Sequence, residues 1–428
     1  MTNPLRLGIA GLGTVGTGTV KIVEKHAEML TRRTGRPISI SAVSARSRKR
    51  DRGIDLTPYA WEDDPVALAK RDDVDVFIEL MGGENGPAKA SVEAAIAAGK
   101  HVVTANKAML AVHGQALAEA AEAKNVSLRF EAAVAGAIPA IKVLSESLAG
   151  NRILRVMGVM NGTCNYILTR MENEGVPYDA VFADAKALGY LEADPNLDVG
   201  GIDAGHKLSL LASIAFGTKV NFDGVELEGI QRISITDINQ ARDMGFRIKL
   251  LGVAQMTGRG LEQRMQPCLV PADSPLGQLQ NAANMVVIEG DACGQIVLRG
   301  AGAGEGPTAS AVMGDVIDIA RGNRISTFGQ PASSLLTCQT AQASAPAAFY
   351  LRLTLKDAPG ALAKVTRALA DAGVSIDRMR QNAHTDTVAP VLVVTHKTTR
   401  SELDHALAGI ASTGVSLEDP VAIRIEEV

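Results

Sequence analysis

Between Gly189 and Lys207 the sequence concentrates groups that could do chemistry. Glu192, Asp194, Asp198 and Asp203 place four carboxylates within twelve positions, and Lys207 closes the run. Asp194-Pro195 favours a turn, and Gly200-Gly201 permits unusual backbone angles, so Glu192 to Gly201 reads as an ordered loop. Ile202 begins a helix that continues through Leu208, Leu210 and Leu211, and on it Asp203 and Lys207 stand at i and i+4, on one face. An acid and an ammonium on a rigid face, beside further carboxylates, suit a small zwitterion with a reacting oxygen. Spacing alone equally fits a solvated ion pair of little energetic worth.

A second constellation lies at the start of the chain. Leu5 to Ala10 is a short apolar strand, followed at once by Gly11, Gly13, Thr14, Val15 and Gly16 in the order G-x-G-x-x-G. Val20, Val23, Ala27 and Leu30 then mark one helical face. In this context Gly11 permits a tight turn, Gly13 lets the backbone approach a pyrophosphate, and Gly16 lets the helix pack closely. The helix N-terminus at Thr14-Val15 offers free N–H groups to phosphate. After a second strand, Ile38 to Val43, come Arg46, Arg48, Lys49 and Arg50 with no acid before Asp51. Cations at this position favour the 2′-phosphate of NADP, with NAD as the alternative. Further strands at 74–80, 101–104 and 127–134 alternate with helices, which predicts a doubly wound parallel sheet over residues 1–135 with ligands at the carboxyl ends of its strands. Lys107 follows such an end.

The elements that must carry the first constellation lie beyond this domain. Residues 153–160 read as a strand, and the polar turn Asn161-Gly162-Thr163 follows it. Strands at 247–256, 264–270, 285–291 and 295–299 predict an open antiparallel sheet bearing the active-site helices, an α+β domain over 136–306. Gly304 and Glu305 end a glycine-rich run before a helix, assigned 307–330, that returns to the nucleotide domain. Residues 331–347 are rich in Ser, Ala, Gln and Thr and read as a linker. Residues 348–428 give the pattern βαββαβ, with Asp357, Pro359 and Gly360 at the first turn and Leu362, Val365 and Leu369 on the first helix.

The order Gly189, Glu192, Asp194-Pro195, Asp198, Gly201, Asp203, Lys207 resembles the signature region of the homoserine dehydrogenases, as does Thr104-Ala-Asn-Lys107. The resemblance covers the whole chain. It implies reversible oxidation of L-homoserine to L-aspartate 4-semialdehyde, with Lys107, Lys207 and Asp203 as catalytic residues. Substrate would be bound by Glu192, Lys207, Asp198, Asn161, Gly162 and Thr163. It implies that Lys107, Gly304 and Glu305 approach the cofactor. It further implies a monovalent cation, sodium, held by Glu131 and the carbonyls of Val134, Gly136 and Ile138. The C-terminal module resembles an ACT domain of ferredoxin-like fold, which implies feedback inhibition by L-threonine and a homodimer or homotetramer. Removing that module is expected to leave an active enzyme blind to threonine.

Composition sets the frame. A chain of 428 residues with 46% hydrophobic content and net charge −4 lacks the basic balance of a non-specific nucleic-acid binder. It has no apolar run of the ~18 residues a membrane span needs. Cys164, Cys268, Cys293 and Cys338 are widely separated, which fits reduced thiols in a cytoplasmic protein. Two rival readings stay open. Cys164 could be the nucleophile of a phosphorylating semialdehyde dehydrogenase, or the chain could be a non-catalytic sensor of NADP and an amino acid.

Overall fold

The computed structural model describes residues 3–192, 194–341, 344–381 and 387–428. Six strands form the first sheet: β1 (Leu5–Ala10), β2 (Ile38–Ser44), β3 (Ala60–Trp61), β4 (Val76–Glu79), β5 (His101–Thr104) and β6 (Leu128–Arg129). They lie in the order β3-β2-β1-β4-β5-β6, all parallel. Strands buried on both faces need apolar side chains in both directions, and β4 supplies them. Ile78 and Val103 pack with Val20, Val312 and Val316 on one side, and Phe77 and Val102 with Val92, Leu110 and Leu117 on the other. Val312 and Val316 belong to the helix Glu305–Arg321, so the chain does return to its first domain.

The expected strand over 127–134 stops early. Only Leu128–Arg129 pairs, and a single 3₁₀ turn, Glu131–Ala133, follows. The Glu131 carboxylate turns inward and accepts hydrogen bonds from the backbone N–H of Ile141 (3.0 Å) and Lys142 (2.9 Å), while its own N–H donates to Asp315. Those bonds compete with a sheet ladder and win locally.

The second sheet has ten strands. β7 (Ile153–Val159), β8 (Val225–Leu227), β9 (Phe246–Thr257), β10 (Gly260–Pro271), β11 (Ala283–Gly290) and β12 (Gly294–Ala301) build its central part. β13 (Phe349–Lys356), β14 (Ile376–Gln381), β15 (Val388–Thr395) and β16 (Val421–Ile425) build the rest. The order is β12-β11-β7-β9-β10-β16-β13-β15-β14, with β8 also pairing β10. The helices Gly162–Glu174 and Ile202–Phe216 cover one face, where Cys164, Ile167, Leu208 and Leu211 meet Val156, Leu250 and Val286. The helices Ala361–Asp371 and Arg400–Ser412 cover the C-terminal strands, burying Leu351, Leu353, Val365, Leu369, Leu403 and Ile410.

The C-terminal module is therefore a continuation of the sheet of the central domain. β16 pairs in parallel with β10, Cys268 opposite Arg424 and Leu269 opposite Ile425. Glu426 accepts hydrogen bonds from Arg264 (2.8 Å) and Arg424 (3.0 Å) at this seam. Asp237, fully buried on the helix Ile235–Asp243, accepts hydrogen bonds from the Tyr350 hydroxyl (3.0 Å) and Arg352 (2.8 Å) of β13. The described part of 331–347 is pinned too: Leu336 donates to Gly217 O and Ala341 to Leu261 O.

Candidate active site

The helix Ile202–Phe216 begins after Gly201, whose φ of +82° suits a residue without a Cβ. It carries Asp203 and Lys207 inward. Lys207 Nζ lies 2.7 Å from Asp203 Oδ2 and donates to the Met160 carbonyl at 2.8 Å. Lys107, the first residue of the helix Lys107–Ala123, comes from the other domain and places its Nζ 2.8 Å from Asp203 Oδ1. One buried carboxylate thus holds two ammonium groups. Burial alone would push the Asp203 carboxyl up, but Lys207 and Lys107 override it and hold it well below the ordinary range. Lys107 moves the other way. Burial would lower it, yet Asp203, with Glu192 and Asp198 behind it, raises it above an ordinary lysine.

Lys107 is aimed by the loop before it. Asn106 caps the helix, accepting from Met109 N at 3.1 Å, and its amide donates to Gly83 O at 2.7 Å. Glu79, fully buried at the end of β4, accepts from Thr104 Oγ1 (2.6 Å), Met81 N (2.7 Å) and Gly82 N (3.1 Å). Glu79 was not legible as a site residue. It reads as one position within the apolar strand 74–80, and only the structure displays the two loops it joins.

The polar turn and the acidic loop meet at Asp198. Asn161 caps the helix Gly162–Glu174 and its amide donates to Asp198 Oδ1 at 2.9 Å, while Asp198 Oδ2 accepts from Glu192 N at 2.8 Å. Residues 195–199, expected as loop, form one short helix capped by Asp194. Thr163 Oγ1 donates to Tyr190 O at 2.9 Å, and a Cβ at Gly162 would crowd Ala282 O. Glu192 is exposed. Cys164 is fully buried and its thiol donates to Asp198 O at 3.3 Å. Burial, with Asp198 and Asp203 nearby, pushes that thiol well above its ordinary value, which removes it as a nucleophile.

At the glycine turn, a Cβ on Gly11 (φ +100°) would overlap the Leu80 carbonyl, and one on Gly16 would overlap Gly11 O. Gly13 faces open space and caps the helix Thr14–Lys25 without a side-chain bond, which leaves Thr14 and Val15 at a bare helix N-terminus. Arg46 and Arg48 are exposed beyond β2, and Gly11 N donates to Ser44 O at 2.9 Å, so the basic loop starts beside the turn. Glu305 lies against the helix Thr14–Lys25, with its Oε1 2.7 Å from Lys21 Nζ, and Gly304 is the residue before the helix Glu305–Arg321. Glu305 is thus brought to the nucleotide domain beside Gly18 and Lys21, beyond the glycine turn. Glu131 is buried, and burial and Asp315 push its carboxyl up to about 8. Val134, Gly136 and Ile138 form the turn that follows, with Ile138 O accepting from Ala140 N.

This arrangement can bind a dinucleotide at one domain and exchange a proton with a substrate oxygen at the junction of two. Comparison with known proteins agrees. The family model described as homoserine dehydrogenase, NAD binding domain matches residues 11–131, the model described as homoserine dehydrogenase matches 139–317, and the ACT domain model matches 349–411. A homoserine dehydrogenase of Neisseria gonorrhoeae is 42% identical over 434 residues, covering 99% of each chain. The crystal structure of one from Thiobacillus denitrificans superposes with a TM-score of 0.93 at 39% identity, again over 99% of each chain. A hyperthermophilic archaeal homoserine dehydrogenase in complex with NADPH gives a TM-score of 0.64 at 26% identity, covering 74% of this chain and 97% of its own. Matched from end to end, by model, by relative and by fold, the chain belongs to the homoserine dehydrogenase family.

Proposed function

We propose that the protein interconverts L-homoserine and L-aspartate 4-semialdehyde with NADP, and that Lys107 and Lys207 manage the proton of the reacting oxygen. The single observation that carries this reading is the Asp203 carboxylate with one lysine on each oxygen, beside carboxylates that suit an amino-acid ammonium. In oxidation the C–H hydride leaves to the cofactor, the O–H proton passes to a lysine Nζ, and the carbon–oxygen bond becomes a carbonyl. A nicotinamide, when bound, supplies only the hydride acceptor. The protein orients the alcohol: Glu192 takes the substrate ammonium, with Asp198, Asn161, Gly162 and Thr163 around it, and Asp203 fixes both lysines. Because Asp203 keeps the Lys107 proton on, the resting enzyme is set to donate a proton to an aldehyde oxygen. Oxidation requires that proton to leave first, so it should speed up toward alkaline pH while reduction slows.

The residues present fit NADP. Gly11, Gly13 and Gly16 make room for a pyrophosphate, Thr14 and Val15 open the helix, and Arg46 and Arg48 are exposed cations for a 2′-phosphate; the NADPH-bound archaeal relative supports the same choice. Lys107, Gly304 and Glu305 would line the nicotinamide end. The residues around Glu131 also fit a monovalent cation. Glu131 is a buried carboxylate short of positive charge, beside the turn carrying Val134, Gly136 and Ile138, and sodium would supply that charge. L-threonine is the effector of the C-terminal module, and its binding there would be transmitted through Tyr350 and Arg352 to Asp237. The exposed outer strand β14 offers its open edge to a second copy in a homodimer or homotetramer. The deciding experiment is spectrophotometric: homoserine with NADP, and separately with NAD. No reduced cofactor with either would sink the reading.

A further inference from the structure

The basic loop after β2 is held by a residue outside the cofactor set described above. Arg52 Nε donates to Leu12 O, inside the glycine turn, at 3.1 Å. Its other nitrogens donate to Arg50 O (2.8 Å) and Ser47 O (2.6 Å), inside the basic loop. One planar guanidinium therefore ties three backbone carbonyls from two loops, a task that its fixed fork of donors suits and an ammonium does not. Arg48 and Arg52 both stand over the Trp61 ring, each 5.9 Å from its centre. Trp61 is itself fixed, paired with Val43 in the sheet and donating from its ring to Asp63. Arg46 makes no hydrogen bond or ion pair among the described residues, so it has a free charge on a loop whose position Arg52 sets.

We propose that Arg52 is a positioning residue for cofactor selection: by gripping Leu12, Ser47 and Arg50 it holds the Arg46 and Arg48 guanidinium groups beside the pyrophosphate turn, where a 2′-phosphate would lie. The inference rests on the NADP reading above for its consequence, and on the hydrogen bonds alone for the lock. Its charge is not the operative feature. Three carbonyls accept from it, and only a residue with the same fork can replace it.

The test uses Arg52→Lys, which keeps the charge and removes the fork, with Arg52→Ala alongside. Trp61 is the only tryptophan in the chain and reports on the loop directly. In the free enzyme both variants should let acrylamide quench Trp61 emission more readily. In titrations with NADP and with NAD, both should lose about tenfold of the wild-type preference for NADP, the worth of a hydrogen bond to a charged group. The KM for homoserine at saturating cofactor should not move. Unchanged quenching, or Arg52→Lys that keeps the wild-type preference, overturns the inference. If the wild type itself binds both cofactors equally, the NADP reading falls instead, and the quenching result still decides whether Arg52 holds the loop.

Discussion

Lys107 and Asp203 sit 2.8 Å apart although one opens a helix of the nucleotide-binding domain and the other opens a helix of the catalytic domain. The proposed reacting centre therefore exists only when the two domains are docked. If both lysines handle the proton, Lys107→Ala and Lys207→Ala should each lower turnover by roughly 10²–10⁴, the usual range for acid–base catalysis. Steady-state kinetics with intact circular dichroism checks this. Near-normal turnover in either variant removes that lysine from the mechanism.

Asp203→Asn keeps the shape and removes the charge that both ammonium groups share. Turnover should drop as far as in the lysine variants. The pH dependence of stability has a definite sign. The folded carboxyl of Asp203 is held below its unfolded value, so its contribution is present above the ordinary aspartate range and is lost as pH falls through the folded value. The melting temperatures of wild type and Asp203→Asn should thus differ most near neutrality and converge in strong acid. A gap that widens on acidification would contradict the assignment.

Arg46→Glu places a carboxylate where a 2′-phosphate is expected. NADP binding should weaken about tenfold or more, and NAD binding far less. Equal loss with both cofactors, measured by their KM values, would show that Arg46 does not select.

The seam changes what deletion of residues 348–428 should do. Without them Arg264 loses Glu426 and Asp237 loses Tyr350 and Arg352, although both are buried in the catalytic domain. Leaving a buried charge without its partner costs about 3–5 kcal/mol. The shortened chain should melt roughly 6–20 °C lower, taking one such loss at about 2–4 °C per kcal/mol. Millimolar threonine should inhibit the full chain and leave any surviving truncated activity unaffected. A truncated protein that melts like the full one would show that the seam is energetically idle.

Much of this molecule was legible before its coordinates. The first sheet followed from apolar runs ending in glycine or lysine, because parallel strands buried on both faces leave little ambiguity. Asp203 and Lys207 were placed together by helical spacing. Lys107 could be placed at a strand end by local pattern, but its distance from Asp203 could not, since nothing local encodes a contact between domains. Glu79 and Arg52 were missed for a related reason. Glu79 joins its own loop to the hydroxyl of Thr104, and Arg52 ties its own loop to the Leu12 carbonyl; the far partner of each is fixed by the fold and leaves no trace in local residue type. The helix at residues 195–199 was read as loop because Asp194-Pro195 signals a turn and a helix start equally well.

The place of β16 in the sheet has a consequence for how the protein is made. Cys268 and Leu269 pair with Arg424 and Ile425, so a strand in the middle of the second sheet leaves the ribosome after the other nine. Domains assemble in order of synthesis, and the nucleotide-binding half can begin to fold early. Its sheet still awaits the return helix Glu305–Arg321, and the Cys268–Leu269 stretch of β10, beyond the part that β8 covers, stays open until residues 421–425 are made. An open strand flank is a template for pairing with another chain. A nascent chain stalled before residue 421 would therefore carry a sticky margin that the finished protein hides, and cells making it in bulk should show aggregation of incomplete chains rather than of complete ones.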